Sequence, residues 1–355
     1  MHSWVQPVRI GMVGAGANTR QKHIPGFRNI PGVEIVVVCN RSEVSSRAVA
    51  QEFHIPRIAR RWEEVVAAPD VDAVVIGTWP YLHAEVTVAA LAHKKHVLTE
   101  ARMASTLQEA KQMWQASLEH PDVVAQVVPA PMSLDVDQTV QQLLEEGALG
   151  QLREILVTHA SGCYADATAP LTWRQDDELS GINILALGIV HEIVQRWLGQ
   201  DPLWVSADAA IFTTERVHPQ TGKNKPVAIP ESLSVLGRYP SGARLLYHLS
   251  GVEAGSGRGE IRLNGSKACL RFDFSSGGLY RTDVSDQEEH RLDIPAHLKR
   301  GWRVEEDFIN SIRTGAPVLF TSFDQGLRYM TFVDAVWNSW KDGGRRINVR
   351  VDTRV

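Results

Sequence analysis

The chain holds 355 residues, 44% of them hydrophobic, with a formal net charge of −4. That length predicts about two domains with a sizeable core, and the mild acidity argues against nucleic-acid or anionic-membrane partners. Three widely spaced cysteines, Cys39, Cys163 and Cys269, argue against a disulfide scaffold or zinc cluster and fit a reducing cytoplasm; Met1 to Pro7 carries no apolar signal core, and there is no apolar run of about twenty residues.

The stretch from Val8 to Ser42 sets the frame. An apolar run, Val8, Ile10, Met12 and Val13, reads as a buried strand. Gly14-Ala15-Gly16-Ala17-Asn18 follows, then a helix through His23 and Phe27, a turn at Pro31-Gly32, and a second strand from Val33 to Cys39. Strand, glycine turn, helix and strand make a βαβ unit. Gly14 allows the tight turn. Gly16 admits a pyrophosphate to the helix N-terminus, where Ala17 and Asn18 stand. Thr19 occupies the third position of the G-x-G-x-x-G fingerprint, so the motif is incomplete, and its place inside a full βαβ pattern carries the reading of a dinucleotide site. After the second strand an acidic residue would accept from the ribose 2′-hydroxyl of NAD. Here Asn40-Arg41-Ser42 stands instead, and an arginine pairs with a phosphate and stacks on adenine. That tilts the cofactor towards NADP, with NAD still compatible through Asn40 and a solvated turn the alternative for Arg41. The basic residues Arg57, Arg60 and Arg61 read as a solvated face.

Short helices follow at Ala48–Phe53 and Trp62–Val66. A buried strand, Val71–Gly77, ends in Thr78-Trp79-Pro80-Tyr81-Leu82-His83. Next come a helix at Glu85–Ala92, a strand at Lys95–Thr99 ending in Glu100-Ala101-Arg102-Met103, a helix at Leu107–Leu118 and a strand at Val123–Val128. Strands alternating with helices predict a doubly wound parallel sheet of the α/β class. Its ligand lies outside the carboxyl ends of the strands, where Gly14–Gly16, Asn40–Ser42, Thr78–His83 and Glu100–Arg102 fall. Pro129-Ala130-Pro131 marks a boundary, giving a nucleotide-binding domain over residues 1–128 and a substrate-binding and oligomerisation domain over 129–355. The second part predicts an α+β domain with a large, open, mostly antiparallel sheet. A helix runs Val136–Glu146, a strand Arg153–Ser161, a long connection Gly162–Ser180 and a helix Ile182–Leu198. Strands are expected at Val205–Thr213, Glu231–Tyr239, Ala243–Ser250, Gly259–Asn264, Ala268–Phe274 and Gly278–Thr282. Helices Val304–Arg313 and Asp324–Trp340 and a strand Arg346–Val351 close the chain. Helices on one sheet face leave the other to be covered, which predicts a homodimer or homotetramer.

On these residues the chain resembles the Gfo/Idh/MocA oxidoreductase family over nearly its whole length. The resemblance rests on the glycine turn, the Glu100 segment, Trp173-Arg174 before Ser180-Gly181, the helix ending Trp197-Leu198-Gly199, and Gly315-Ala316-Pro317 with Thr321. It implies a Rossmann domain, an open-sheet substrate domain, and NAD(P)-dependent oxidation or reduction of a sugar, cyclitol or related polyol without a metal. Hydride passes between nicotinamide and a substrate carbon while an acid/base group moves the hydroxyl proton. The family's Glu-Lys-Pro segment reads here Glu100-Ala101-Arg102. Ala101 cannot move a proton, and Arg102 stays charged but can orient a ligand. The family's Asp-x-Gly-x-His pattern has two registers here, falling on Ala186 and Val190 or on Leu187 and His191. With Gly188 and Trp197 as anchors the first is favoured, and the usual lysine, aspartate and histidine are then all missing. His191 lies at the edge of the stripe formed by Asn183, Ala186, Leu187 and Val190, and is the titratable candidate for the proton, a buried seam histidine being the alternative. Tyr164 and Arg102 are the further catalytic candidates. Arg102, Trp173, Arg174 and Asn183 are expected on the substrate, and Thr78, Trp79, His83, Glu100 and Ala101 on the cofactor. Chemistry by transient oxidation is one variant of this reading. A non-catalytic NAD(P)-binding sensor, suggested by the missing lysine, is the rival.

Overall fold

The computed structural model describes residues 7–350. The amino-terminal stretch before Pro7, and Val351 of the expected last strand, lie outside them. The chain divides into two units, Met1–Pro129 with Arg303–Leu327, and Ala130–Trp302 with Arg328–Val355.

The first unit is built on six parallel strands: β1 (Val8–Val13), β2 (Val33–Cys39), β3 (Arg57–Ile58), β4 (Ala73–Ile76), β5 (His96–Thr99) and β6 (Ala125–Val127). Their order is β3-β2-β1-β4-β5-β6. A central parallel strand is covered on both faces and reads as an unbroken apolar run, and all four residues of β4 are buried. The strand order reverses between β1 and β4, the switch point where such sheets bind ligands. The helices are α1 (Ile24–Arg28, continuing a π turn over Thr19–His23), α2 (Glu43–Glu52), α3 (Trp62–Val66), α4 (His83–Ala92) and α5 (Leu107–Glu119). Side-chain caps set two of the starts. Ser42 Oγ accepts the Ser45 N–H at 3.2 Å, and Thr106 Oγ1 accepts the Glu109 N–H at 3.1 Å. The Ser42 cap starts α2 five residues earlier than its apolar pattern suggests.

The glycine turn explains the incomplete fingerprint. Gly14 has φ +82°, and a Cβ there would sit 2.7 Å from the Thr78 nitrogen. Thr19 is buried and its hydroxyl donates to the Gly14 carbonyl at 3.3 Å. Close helix–strand approach is met from the opposite side, by Gly77, where a Cβ would overlap Thr19 Oγ1.

The second unit carries a nine-stranded sheet in the order β16-β15-β14-β13-β7-β12-β11-β8-β17. Its strands are β7 (Leu152–Ala160), β8 (Trp204–Ala210), β11 (Ser232–Arg238), β12 (Arg244–Ser250), β13 (Arg258–Gly265), β14 (Ala268–Asp273), β15 (Gly278–Asp283), β16 (His290–Arg291) and β17 (Ile347–Asn348). β7 and β12 pair parallel, and the other neighbours pair antiparallel. Two further strands, β9 (Glu215–Val217) and β10 (Asn224–Pro226), form a separate ribbon that no sequence pattern announced. The helices are α6 (Asp137–Glu145), α7 (Asp177–Ser180) and α8 (Leu187–Leu198). Alternate strand residues such as Val157, Val235, Tyr247 and Phe272 share one buried cluster with Val140 of α6 and Val190 and Val194 of α8. The residues between them face outwards: Leu236 is 49% exposed, and Arg271 pairs with Glu289. α8 begins at Leu187, not at Ile182, because Leu185 takes φ +45° and Gly181 φ +64°. Asn183 therefore lies before the helix and shares no helical face with Val190.

Two helices remain, α9 (Val304–Thr314) and α10 (Phe323–Lys341). Phe308 of α9 meets Phe27 edge to face at 6.3 Å, and Gln126 Nε2 donates to the Phe320 carbonyl at 2.8 Å. Residues 303–327 thus complete the first unit, which a single division at 128/129 does not contain. No helix among the described residues is long and apolar enough to cross a membrane.

Candidate cofactor and active site

A cavity of about 630 Å³ opens at the carboxyl ends of the first unit's strands. Seven of the residues expected on the cofactor line it: Gly14, Gly16, Asn40, Arg41, Ser42, Thr78 and Trp79. A Cβ at Gly16 would meet nothing closer than the Gly77 carbonyl, at 3.5 Å. Packing within the chain therefore does not demand a glycine there, whereas close approach of a pyrophosphate does. These residues fit a dinucleotide.

The end of β2 shows what the cavity rim can bind. Asn40 Oδ1 accepts the Ala15 N–H at 2.6 Å, and its Nδ2 donates to the Ser45 carbonyl at 3.2 Å. The amide is thus engaged at both ends, tying the glycine turn to α2. Arg41 is exposed and stands 5.4 Å from the Trp79 ring centroid. Arg60 and Arg61, taken in sequence for a solvated face, line the same cavity, with Arg61 paired to Glu63. β3 brings them there by pairing with β2, Ile58 opposite Val38. They lie outside the fingerprint, so no motif pointed to them. Arg57 pairs with Asp70 instead.

Glu100, Ala101 and Arg102 follow β5. Asn18 Nδ2 donates to Glu100 Oε1 at 2.5 Å, and His23 Nε2 lies 3.0 Å from the same oxygen. On its other side His23 Nδ1 lies 2.5 Å from Glu305 Oε1 on α9. Burial alone would lower the His23 pKa, but the two carboxylates outweigh it and push it up to about 9. Burial likewise would raise Glu100, yet the bonded His23 holds it below the usual carboxylate range. The Ala101–Arg102 peptide bond is cis, and Arg102 is 5% exposed. His83, expected on the cofactor, is fully buried. Its ring nitrogens face the carbonyls of Arg102 at 2.9 Å and Thr78 at 3.0 Å. With both nitrogens turned to main chain, it clamps the loops after β4 and β5 together.

In the second unit His191 corrects the sequence reading most sharply. Its ring is fully buried, stacked on Phe332 at 3.4 Å between centroids, with Nδ1 3.0 Å from the Tyr247 hydroxyl. Burial, with Arg328 nearby, pushes its pKa down to about 3. The residue points into the helix–sheet core because α8 presents that face to β12, so it is neutral and walled off from a reacting group. Tyr164 is also buried, its ring against Gly251, and its carbonyl accepts from Arg216 Nη2 at 2.9 Å. Trp173 and Arg174 sit on a single 3₁₀ turn, the guanidinium 4.2 Å over the indole. Asp176, two residues on, pairs with Lys225 at 2.8 Å. Asn183 is buried, donating to the Ser180 carbonyl at 2.6 Å.

Known proteins resemble the chain in sequence and in fold. A family model described as oxidoreductase family, NAD-binding Rossmann fold, matches residues 8–127, and one described as the GFO/IDH/MocA C-terminal domain matches residues 138–271. The chain is 24% identical over 264 residues to levoglucosan dehydrogenase of Pseudarthrobacter phenanthrenivorans, covering 67% of this chain and 66% of that relative's length. It is 34% identical over 152 residues to 1,5-anhydro-D-fructose reductase of Ensifer adhaerens, covering 43% of this chain and 45% of that one. A levoglucosan dehydrogenase solved in complex with NADH and L-sorbose shares the fold at a TM-score of 0.82 and 21% identity, over 97% of this chain and 99% of that one. The chain belongs to the Gfo/Idh/MocA family of NAD-binding oxidoreductases.

Proposed function

We propose that this oxidoreductase acts on a hydroxyl or ketone carbon of a sugar, cyclitol or related polyol, with NADP preferred to NAD. The substrate class rests on what the relatives are named for, levoglucosan and 1,5-anhydro-D-fructose. The cofactor preference rests on one observation: the Asn40 amide is engaged by main chain while Arg41, Ser42, Ser45, Arg60 and Arg61 line the same rim. Such a donor-rich rim suits a 2′-phosphate, and the carboxylate that would suit a free ribose diol is missing from Asn40. When bound, the nicotinamide supplies the hydride-accepting or hydride-donating carbon. The chain's own glycines, Gly14 and Gly16, admit the pyrophosphate. The proton falls to Tyr164 among the candidates, since it keeps 6% exposure whereas His191 keeps none, and Arg102 keeps its charge at every relevant pH. Tyr164→Phe is expected to lower kcat by about 10²–10⁴-fold, the usual worth of a positioned acid or base.

Two proposals accompany this one. The outward face of the nine-stranded sheet joins copies into a homodimer or homotetramer, which sedimentation velocity measures. The three cysteines are free thiols, which suits a reducing cytoplasm. The decisive experiment incubates the protein with a panel of sugars and polyols and either cofactor, following the absorbance of reduced nicotinamide. Net turnover marks a dehydrogenase; cofactor cycling without net reduction marks transient oxidation; neither, across the panel, overturns the proposal. Calorimetric titration should show NADPH binding more tightly than NADH. Arg41→Ala should narrow that gap by about tenfold to a hundredfold, the worth of one charge-assisted pair. Equal affinities in the unaltered protein would sink the cofactor preference.

A further inference from the structure

The stretch between β7 and α7 forms no strand of the nine-stranded sheet, yet it carries Tyr164, Trp173 and Arg174. Its main-chain carbonyls must find partners outside a ladder. One side chain satisfies three of them. Arg216, on β9 of the separate ribbon, donates from Nη1 to the Asp166 and Ala169 carbonyls at 2.7 and 3.0 Å. Its Nη2 donates to the Tyr164 carbonyl at 2.9 Å. Val217, next along β9, accepts the Leu171 N–H at 2.9 Å.

Behind the guanidinium stands Glu231. Arg216 is 3% exposed and Glu231 0%, and Arg216 Nη2 reaches Glu231 Oε1 at 3.1 Å. The same oxygen accepts from Gln175 Nε2 at 3.1 Å, so one buried pair holds the segment near both ends, at Tyr164 and just past Arg174. A buried ion pair adds little net stability over an apolar pair of the same shape. What an apolar pair lacks is a rigid fork of donors aimed at carbonyls. A lysine lacks it too, since its donors share one compact ammonium. Tyr164 shows what the fork does. Its N–H donates to the Gly251 carbonyl at 2.6 Å, and its ring lies on Gly251, where a Cβ would overlap it. The carbonyl bond to Arg216 fixes the other side of the same residue.

We propose that Arg216 and Glu231 are positioning residues for the reaction, holding the segment from Tyr164 to Gln175 so that the Tyr164 hydroxyl keeps its place on the substrate. The proposal rests on the reading of Tyr164 above. Both residues act through main chain: the guanidinium orients the carbonyls, and the carboxylate orients the guanidinium. The ribbon, with no part in the large sheet, is the element that brings Arg216 to this segment.

Steady-state kinetics with NADP⁺ and levoglucosan, or the panel member that is turned over in its place, tests this. Arg216→Lys keeps a charge beside Glu231 and loses the fork. It should lower kcat and kcat/KM together by about a hundredfold, the worth of a displacement of about 1 Å at a reacting group, with KM little changed. NADPH affinity by calorimetry should stay the same. Added to Tyr164→Phe, the same change should cost less than about threefold further, because the hydroxyl it places is already gone. Arg216→Met combined with Glu231→Gln strands no charge and keeps an acceptor for the Phe212 and Thr213 N–H groups. This pair should unfold near the urea midpoint of the unaltered protein and still lose about a hundredfold in kcat. A pair variant that regains both stability and kcat shows a purely structural role and overturns the proposal. So does a full further loss on the Tyr164→Phe background. Tyr164→Phe turning over at the unaltered rate overturns the reading of Tyr164 itself, whereas a slow Tyr164→Phe beside a fully active Arg216→Lys overturns the positioning alone.

Discussion

Raising the pH should destabilise the first unit through His23. The perturbation is loss of one buried proton. In the fold that proton sits between Glu100 and Glu305 with a pKa pushed up to about 9, against an ordinary histidine value of 6.5. Because the folded value is the higher one, the stabilisation is complete below about 6.5 and is lost as the pH rises through about 9. At about 1.4 kcal/mol per pKa unit the difference is worth about 3 kcal/mol. The lowered Glu100 pKa is the same interaction seen from the carboxylate, so it is not added. Urea unfolding at pH 6, 7.5 and 9.5 measures the effect, and His23→Gln supplies the control. The unaltered protein should lose about 3 kcal/mol more than the variant between pH 6 and 9.5. Proton resonances of the His23 ring should titrate near 9. Parallel pH dependences in the two proteins, or a ring that titrates near 6.5, would refute the reasoning.

Three further outcomes follow from burial. His191→Ala should lower stability by about 2–4 kcal/mol through the cavity left against Phe332, with kcat changed less than about threefold well below the transition, far under the loss of a general base; steady-state kinetics beside thermal unfolding check both. Gly14→Ala should cost more than about 1 kcal/mol and abolish cofactor binding by calorimetry, since φ is +82° and the added Cβ meets the Thr78 main chain. Glu231→Gln should cost about 3–5 kcal/mol in chemical unfolding. That carboxylate is fully buried and accepts from Arg216 at 3.1 Å and from the Phe212 and Thr213 N–H groups at 3.0 and 2.9 Å, so its loss leaves the buried guanidinium without this counter-charge.

Periodicity and turn chemistry were enough to read the doubly wound sheet, the glycine turn and the nine-stranded sheet's main strands. These features follow from local order: apolar runs of strand length, caps such as Ser42, and breaks such as Gly199 act within a few residues of themselves. The cavity residues Gly14, Gly16, Asn40, Arg41, Thr78 and Trp79 were legible for the same reason, since strand ends in an open parallel sheet converge wherever the strands are. What the sequence alone could not decide was which side chains meet across distance. The return of α9 puts Glu305 on His23, 282 residues apart, and only folding reveals that pair. Arg60 and Arg61 join the cavity through β3, a strand of two residues with no period to detect. His191 and Val190 differ by one helical step, and a hydrophobic stripe leaves open which element covers it. The packing of Tyr247 and Phe332 assigns His191 to the core, where burial rather than sequence spacing determines its charge.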